Sequence, residues 1–423
     1  MTACPSELEP AALPTDTPLP SRTMFAPIPE ILDEIRAGRM VVLVDDEDRE
    51  NEGDLVLAAQ FATPENINAI TRLAGGYLCL SLTPADCDRL DLHPQTAFNT
   101  TLRGTPFTVS IDGHPKHGVG TGISATDRAK TVQIAIDPRS GPEDVVKPGH
   151  INPLRSREGG VLVRTGQTEG AVDLCRLAGV YPAALIIEIV KEDGQMARRP
   201  DLEIMCRKHG WKMGSVEQII EYRLQRERLV RRLEPESGTP IRTPEGEFNL
   251  IALQSAVDAF PHIVLTVGGI GRLDAAGRTI ETEEPTLVRM HRRHVLGDLF
   301  GDLDSSAEGS TGAALRESMR IIQREGRGAI VYLRPTPVGT ALHQRLDTPR
   351  PGAMFPESTS GTEPPIPAGK SPMAQRDFGI GGQILRELGL RRLRLLTNHP
   401  KDLPGLDAFG LEIVEHVPLG CTR

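Results

Sequence analysis

The stretch MVVLVDDEDRENEGD, residues 40–54, decides the fold. Its aliphatic run reads as a buried strand. The run ends in acid: seven of the ten residues from Asp45 to Asp54 are carboxylic. Crowded carboxylates repel and raise one another's pKa unless a cation neutralises them. A hard divalent ion such as Mg²⁺, its shell completed by substrate phosphate or hydroxyl oxygens, suits such a loop. The interleaved Arg49 suits a substrate oxyanion or the carboxylates themselves. A solvated acidic turn is the plainer reading, and Gly53 with the preceding strand argues against it.

Outward from this loop the chain alternates strand-like and helix-like segments to about residue 225, an α/β pattern. Upstream, PEILDEIRAGRM places Ile31, Leu32 and Ile35 at helical spacing, with Gly38 as the stop. Downstream, GGVLV before Arg164 and ALIIEIV around Glu188 read as strands. Ser215 with Gln218 predicts a capping box for a helix VEQIIEYRLQRERLVRRL. Residues 1–24 hold five prolines and predict a disordered tail. The first domain is expected over 25–233 and a linker over 234–243, EPESGTPIRT. A second α/β domain follows over 244–423. In it FNLIALQSAV, HIVLTVGG and AIVYL read as strands, GAALRESMRIIQREGRG as a helix, and GQILRELGLRRLRLLTNHP as helix then strand. The Pro-, Gly- and Ser-rich run 346–373 predicts a mobile loop.

Composition narrows the function. The 423 residues carry 48 Lys and Arg against 57 Asp and Glu, a net charge of −9, and only 4% aromatics. That balance excludes nucleic acid as the main partner, since neither a basic excess nor stacking platforms are present. No apolar run approaches the roughly 18 residues of a membrane helix. The N-terminus lacks the apolar core of a secretory signal. Six scattered cysteines form neither a CxxC pair nor a disulfide framework. A reduced, cytoplasmic enzyme is expected.

Three further clusters carry chemistry. Lys147–Arg155, KPGHINPLR, fixes His150 between Gly and Pro in irregular backbone. Arg164–Gly170, RTGQTEG, offers Arg, two Thr hydroxyls and Gly-freed amides as a phosphate cradle. Glu188 interrupts an apolar strand, which is costly unless the carboxylate is used or paired.

Together these segments resemble 3,4-dihydroxy-2-butanone 4-phosphate synthase of riboflavin biosynthesis. The matching pieces are DDEDRENEGD at 45–54, FTVSIDG at 107–113, GTGISATDRA at 120–129, PGHINPLR at 148–155, GGVLVRTGQTEGAVDL at 159–174 and DGQMARRPDL at 193–202. They run in family order over residues 28–223, a far more specific match than one short motif. The resemblance implies an α/β (α+β) sandwich acting as a homodimer. It implies conversion of ribulose 5-phosphate to 3,4-dihydroxy-2-butanone 4-phosphate and formate with Mg²⁺, Mn²⁺ being the second candidate. Glu50 would be a metal ligand. Arg49, Asp54, Arg164, Thr165, Gly166 and Thr168 would contact substrate, with Cys79 and Thr121 near it. His150 and Glu188 would be the acid/base groups. One departure stands at the metal: the family's Gly-His-Thr-Glu is Gly166-Gln167-Thr168-Glu169, so Gln167 would offer a neutral oxygen in place of imidazole. Asn152 replaces a usual aromatic residue.

Residues 244–420 resemble GTP cyclohydrolase II. The scaffold pieces are LVRMH at 287–291, GDLFGDL at 297–303, RDFGIGGQIL at 376–385, LLTNHPK at 395–401 and IVEHVPLG at 413–420. The chemistry pieces are replaced. The family's HSEC reads His291-Arg292-Arg293-His294, and its RCDCG falls on Asp304-Ser305-Ser306-Ala307-Glu308. No cysteine lies between Cys206 and Cys421. A three-thiolate zinc site is therefore excluded, and zinc is not expected. Residues 335–342 replace the family's QEGRGIGL loop, Ala374-Gln375-Arg376 keeps only the arginine of Asp-x-Arg, and Asp402 replaces a lysine. His291 and His294 could found a replacement site, but an exposed pair is expected. The reading is a monofunctional lyase with an inactive cyclohydrolase-like half. A bifunctional enzyme, a non-catalytic binding protein and a lyase for another sugar phosphate are the alternatives.

Overall fold

The computed structural model describes residues 25–45, 50–97, 99, 101, 104–258, 260–306, 309–334, 372–398 and 409–420. The expected tail 1–24, and the expected loop except its last two residues, lie outside them, as do Arg49, Asp402 and residues 335–342. Pro372 and Met373, assigned to that loop, instead open a helix.

The first half builds one sheet from β1 (Val41–Val44), β2 (Gly53–Ala58), β3 (Cys79–Leu82), β4 (Ile111–Gly113), β5 (Val145–Arg155), β6 (Ala184–Glu188) and β7 (Lys212–Ser215). The strand order is β4-β5-β3-β6-β2-β1-β7. Side chains alternate faces along each strand. On one face Leu43, Val56, Cys79, Leu154 and Ile186 pack against α1 (Ile28–Arg36), α5 (Gln167–Ala178) and α7 (Val216–Arg226). On the other, Val42, Leu55, Leu80, Ile151 and Ile187 meet α2 (Pro64–Ala74), α3 (Pro84–Arg89), α4 (Ala125–Ile136) and α6 (Arg199–His209). The result is the α/β sandwich expected.

Two local expectations differ. GGVLV is not a strand: Gly160–Leu162 form a 3₁₀ turn. Gly159 and Gly160 have φ of 89° and 62°, a left-handed bend, and the Asp173 carboxylate lies where a Cβ on Gly160 would sit. The α7 capping box is present, with Ser215 Oγ accepting from Gln218 N at 3.2 Å and Gln218 Oε1 accepting from Ser215 N at 3.0 Å. The helix nevertheless stops at Arg226. The next residues form β8 (Val230–Arg232), which pairs with the second sheet, so pairing overrides helical periodicity there.

That second sheet contains β8, β9 (Thr239–Thr243), β10 (Gly246–Ser255), β11 (His262–Val267), β12 (Thr286–Arg292), β13 (Gly328–Leu333), β14 (Arg392–Leu396) and β15 (Glu412–Val417). Its order is β15-β14-β12-β13-β11-β10-β8, with β9 beside β10. Half of the expected linker 234–243 is thus strand β9, and the boundary expected at 233 lies inside this sheet. The helices here are α8 (Val295–Phe300), α9 (Thr311–Glu325) and α10 (Pro372–Glu387).

The two halves share one apolar cluster through α7 and α10. The helices approach so closely that a Cβ on Gly379 would meet a Leu224 methyl at 2.5 Å. Gln383 bridges them: its Nε2 donates to Leu224 O and Glu227 O at 2.9 and 2.8 Å, and its Oε1 accepts from Leu229 N at 2.8 Å. Arg223 ties α7 to the site-bearing face. It is buried and donates to Gly159 O, to Asp173 Oδ2 on α5, each at 2.7 Å, and to Glu227. Breaking a buried pair strands the remaining charge, so Arg223→Met should cost about 3 kcal/mol in denaturant unfolding. An unchanged midpoint would show that this link carries no stability.

Candidate active site

The acids gather at one end of the first sheet. Asp54 on β2 stands opposite Glu188 on β6, and Leu43 of β1 flanks it. Alternation points Asp54 and Glu188 to the α5 face. The loop between β1 and β2 is closed by Asp45, whose carboxylate accepts from Glu50 N at 3.1 Å and Glu52 N at 3.0 Å. From α6's N-cap, Arg198 Nη1 donates to Glu50 O at 2.7 Å and Asn51 O at 2.6 Å, and lies 3.6 Å from Glu52 Oε1. One guanidinium thus holds the backbone that carries the acids.

Burial pushes the Asp54 carboxyl well up, and Glu188, Glu50, Asp45 and Glu52 push it the same way. Glu52 is raised by burial and Glu50, with Arg198 opposing. Cys79, between β5 and β6, is buried, and burial with Glu188 and Asp54 raises its thiol. It is a neutral wall residue. Glu188 is only half-buried at the end of its strand, so Asp54 is the costly carboxylate, contrary to the expectation for Glu188.

Glu188 Oε2 accepts from Tyr77 N at 2.8 Å, and Tyr77 Oη donates to Asn152 Oδ1 at 2.8 Å. Tyr77 therefore connects the acids to β5, where His150 stands two residues before Asn152. His150 Nδ1 pairs with Asp112 Oδ2 at 2.7 Å, and His150 N donates to Asp112 Oδ1 at 2.9 Å. Asp112 is buried while the imidazole is 45% exposed, which leaves its far edge accessible. Exposed Thr121 sits in the turn before α4, and the Asp112 carboxylate abuts its neighbour Gly122.

α5 brings the third group. Its N-cap is Gly166 and it has no side-chain cap, so its first amides can face an anion. Gln167 and Thr168 are buried there, and Gln167 Nε2 donates to Glu52 O at 3.5 Å. Arg164 Nη1 pairs with the fully buried Glu169 at 2.7 Å, and Glu169 also accepts from Arg157 N at 3.1 Å. Glu50, Asp54, Glu188, Gln167 and Thr168 thus share one rim, with Arg164, Thr165 and Gly166 leading into it. Sequence reading missed Asp112, Arg198 and Tyr77, and gave Glu169 no role of its own. Asp112 and Arg198 sit inside FTVSIDG and DGQMARRPDL, whose internal polar partners were the available signal. Among the described residues no group of three or more His, Cys, Asp or Glu is arranged to hold a metal. Mg²⁺ needs only one or two protein oxygens beside water and substrate, and the crowded acids fit it.

The second half places its corresponding groups differently from expectation. His291 is buried, not exposed. It stacks on Tyr332 at 5.3 Å and pairs with Asp298 Oδ1 at 3.0 Å. Asp298 also accepts from His294 N, Thr311 Oγ1 and Tyr332 Oη at 2.7–2.8 Å. His294 Nδ1 accepts from Gly297 N at 3.1 Å as the α8 cap, and Ser305 Oγ accepts from Thr311 N at 2.9 Å. Arg376 is fully buried against Asp258.

Comparison with known proteins agrees with this architecture. Residues 29–222 match the 3,4-dihydroxy-2-butanone 4-phosphate synthase family and residues 234–418 the GTP cyclohydrolase II family. Riboflavin biosynthesis protein RibBA of Aquifex aeolicus is 43% identical over 93% of this chain and 92% of its own. RibBX of A. baumannii, a two-domain 3,4-dihydroxy-2-butanone 4-phosphate synthase, is 34% identical, with TM-score 0.73 over 93% of this chain and 99% of that one. A 3,4-dihydroxy-2-butanone 4-phosphate synthase crystallised with two magnesium ions is 38% identical over 47% of this chain and 96% of its own, with TM-score 0.45. The fold and site define a carbon–carbon lyase of sugar phosphates. The chain belongs to the family of two-part riboflavin biosynthesis proteins that join a 3,4-dihydroxy-2-butanone 4-phosphate synthase to a GTP cyclohydrolase II-family half. It converts ribulose 5-phosphate to 3,4-dihydroxy-2-butanone 4-phosphate and formate.

The raised Asp54 has a thermodynamic consequence. Above the ordinary carboxylate pKa and up to the raised one, the native chain holds more protons than the unfolded chain, so stability falls as pH rises through that window. Asp54→Asn should raise the metal-free Tm in alkaline buffer more than in mildly acidic buffer. Added Mg²⁺ should raise the wild-type Tm and shift the variant less. An Asn variant that melts below wild type at every pH would contradict the repulsion.

Proposed function

We propose that the lyase site works with Gln167 in place of the usual histidine, and that the second half does not open GTP. The observation that carries the first part is the pairing of His150 with buried Asp112 on the same face as the acid cluster. Arg164, Thr165, Gly166 and Thr168 bind the phosphate at the α5 N-terminus, where helix amides favour an anion. Arg49 and Asp54 contact the sugar, with Cys79 and Thr121 lining the approach. Glu50 and the Gln167 carbonyl would hold Mg²⁺, which when bound would supply positive charge against the substrate's oxygens. The hard oxygen pair favours Mg²⁺ over Mn²⁺. Asp112 accepts the His150 Nδ1 proton, which fixes the tautomer and presents Nε2 to the substrate. His150 then moves protons during enolisation and loss of C4, while Glu188, steadied by Tyr77 N, serves as the second acid/base group.

The second part rests on the absence of cysteine between Cys206 and Cys421 and on hydrogen bonds that already occupy the replacing groups. His294 caps a helix, Ser305 closes a turn, and Asp298 gathers four donors. The half then serves as a scaffold that stabilises a homodimer or carries a regulator. Buried, unpaired Cys79, Cys87, Cys175 and Cys206 suit a reducing, cytoplasmic setting.

The test is formate release from ribulose 5-phosphate with Mg²⁺, alongside zinc content and GTP turnover. Formate that stops with EDTA, no stoichiometric zinc and no GTP turnover are expected. Silence rescued by Gln167→His would mean Gln167 has disabled the site, and silence in both would favour a binding protein or another sugar phosphate. Bound zinc with GTP turnover would establish the bifunctional enzyme. His150→Ala should lower kcat by about 10²–10⁴-fold, the usual weight of a general acid/base group. Asp112→Asn should lower kcat less and displace the pH profile, whereas a purely structural role would leave the profile in place. Arg198→Gln should raise the Mg²⁺ concentration for half-maximal rate and weaken Mg²⁺ binding by calorimetry, with kcat at saturating Mg²⁺ largely kept.

A further inference from the structure

The second half holds a cavity of about 720 Å³ between β8, the turn Leu273–Thr279 and the end of α10. It lies outside the lyase site. Its wall carries Arg228, Arg231, Arg232 and Arg278 against Glu236 and Glu387. Such an excess of guanidinium in a concave wall is what a phosphate or other compact anion needs. The volume falls in the range of small-molecule sites.

The arginines are held in two ways. Arg232 is buried, and its two terminal nitrogens donate to Glu236 O, Gly271 O, Thr279 Oγ1 and Glu387 O at 2.7–3.2 Å. Its Nε is buried with no hydrogen-bond partner, and the nearest carboxylate oxygen, Glu387 Oε1, lies 3.7 Å away. That N–H is closed off from the cavity, so Arg232 shapes the wall and lends it charge while Arg228, Arg231 and Arg278 are the arginines open to a ligand. Arg231 is exposed and makes no ion pair among the described residues. Arg228 and Arg278 are steered by Glu387 and Asp274.

The rest of the lining selects the kind of anion. Among the described residues the lining has no aromatic ring for a base to stack on. Among them there is also no histidine or cysteine to ligate a soft metal. Glu236 and the Gln254 carbonyl are acceptors for hydroxyl groups, the Gln254 amide being committed to Ser255 O and Asp258 O. We propose that this cavity binds a phosphorylated sugar or polyol, with the arginines on the phosphate and the acceptors on its hydroxyls. The site lies just beyond α7, the helix whose Arg223 holds Asp173 on α5. A ligand there touches the segment that joins the cavity-bearing half to the lyase half.

The test is calorimetric titration of the full chain with glucose 6-phosphate, inorganic pyrophosphate and glucose, in wild type, Arg231→Gln, Arg278→Gln and the double variant. Formate release without these probes should be unchanged in the variants, which shows that they are folded. Wild type should bind both phosphates and not glucose. Each single variant should weaken glucose 6-phosphate about tenfold, the loss of one charge-assisted hydrogen bond. Binding that is equal in all four proteins would place the anion elsewhere, the lyase site included, and overturn the proposal. No binding by wild type would overturn it too. Pyrophosphate binding without glucose 6-phosphate would overturn the sugar assignment.

Discussion

Asp54 is a buried carboxylate whose charged neighbours are mainly other carboxylates, and the lyase half is built around that liability. A buried charge is tolerated when it is paired, neutralised by protonation or bound to a metal. Here the sheet register puts Asp54 beside Glu188, the β1–β2 loop adds Asp45, Glu50 and Glu52, and every one raises its pKa. Nothing in the packing relieves the strain locally. Two positive elements stand near the same loop: Arg198, clamped on its backbone and opposing the rise at Glu52, and the uncapped start of α5, whose Gln167 reaches Glu52 O. A divalent cation would complete the balance. The same arrangement explains why a neutral amide at Gln167 is chemically admissible, since the negative charge needed to hold Mg²⁺ resides in the loop.

The second half shows the contrary case. At His291, His294 and Ser305 the polar groups satisfy one another. Asp298 collects donors from His291, His294, Thr311 and Tyr332 and is held well below the usual carboxylate range despite its burial. The half also supplies packing. Gly379 lets α10 approach α7, and Gln383 satisfies the carbonyls where α7 ends. α7 in turn holds α5 through Arg223 and Asp173. The second half therefore braces, through α7, the helix α5 whose uncapped first turn stands beside the acidic loop.

Much of this was legible in the residues alone. The strand before Asp45, the helix 28–36 and the Ser215–Gln218 cap depend on local spacing and side-chain chemistry, which a sequence displays. The catalytic candidates were legible because they sit in long motifs. What was hidden depends on distant partners. Residues 230–232 looked helical because their helix-like spacing cannot reveal that Leu253–Ser255 pair with them. Residues 239–243 looked like a linker for the same reason. Asp112 was invisible because its partner is 38 residues away, and Arg198 because its acceptors are backbone carbonyls about 150 residues upstream. Glu188 drew attention as a buried acid, yet Asp54 bears the burial: Glu188 ends β6 half-buried, whereas every residue of β2, Asp54 included, is buried.

The central claim is that carboxylate crowding at Asp54 is what a divalent cation relieves. Calorimetric titration of the substrate-free full-length protein with Mg²⁺, repeated in buffers of different ionisation enthalpy at mildly acidic pH, tests it most directly. Binding should release protons, because the raised carboxyl of the cluster gives up its proton as the metal arrives. The apparent enthalpy should then change with the buffer, and Asp54→Asn should abolish most of that change. Mg²⁺ binding with the same enthalpy in every buffer would contradict the account.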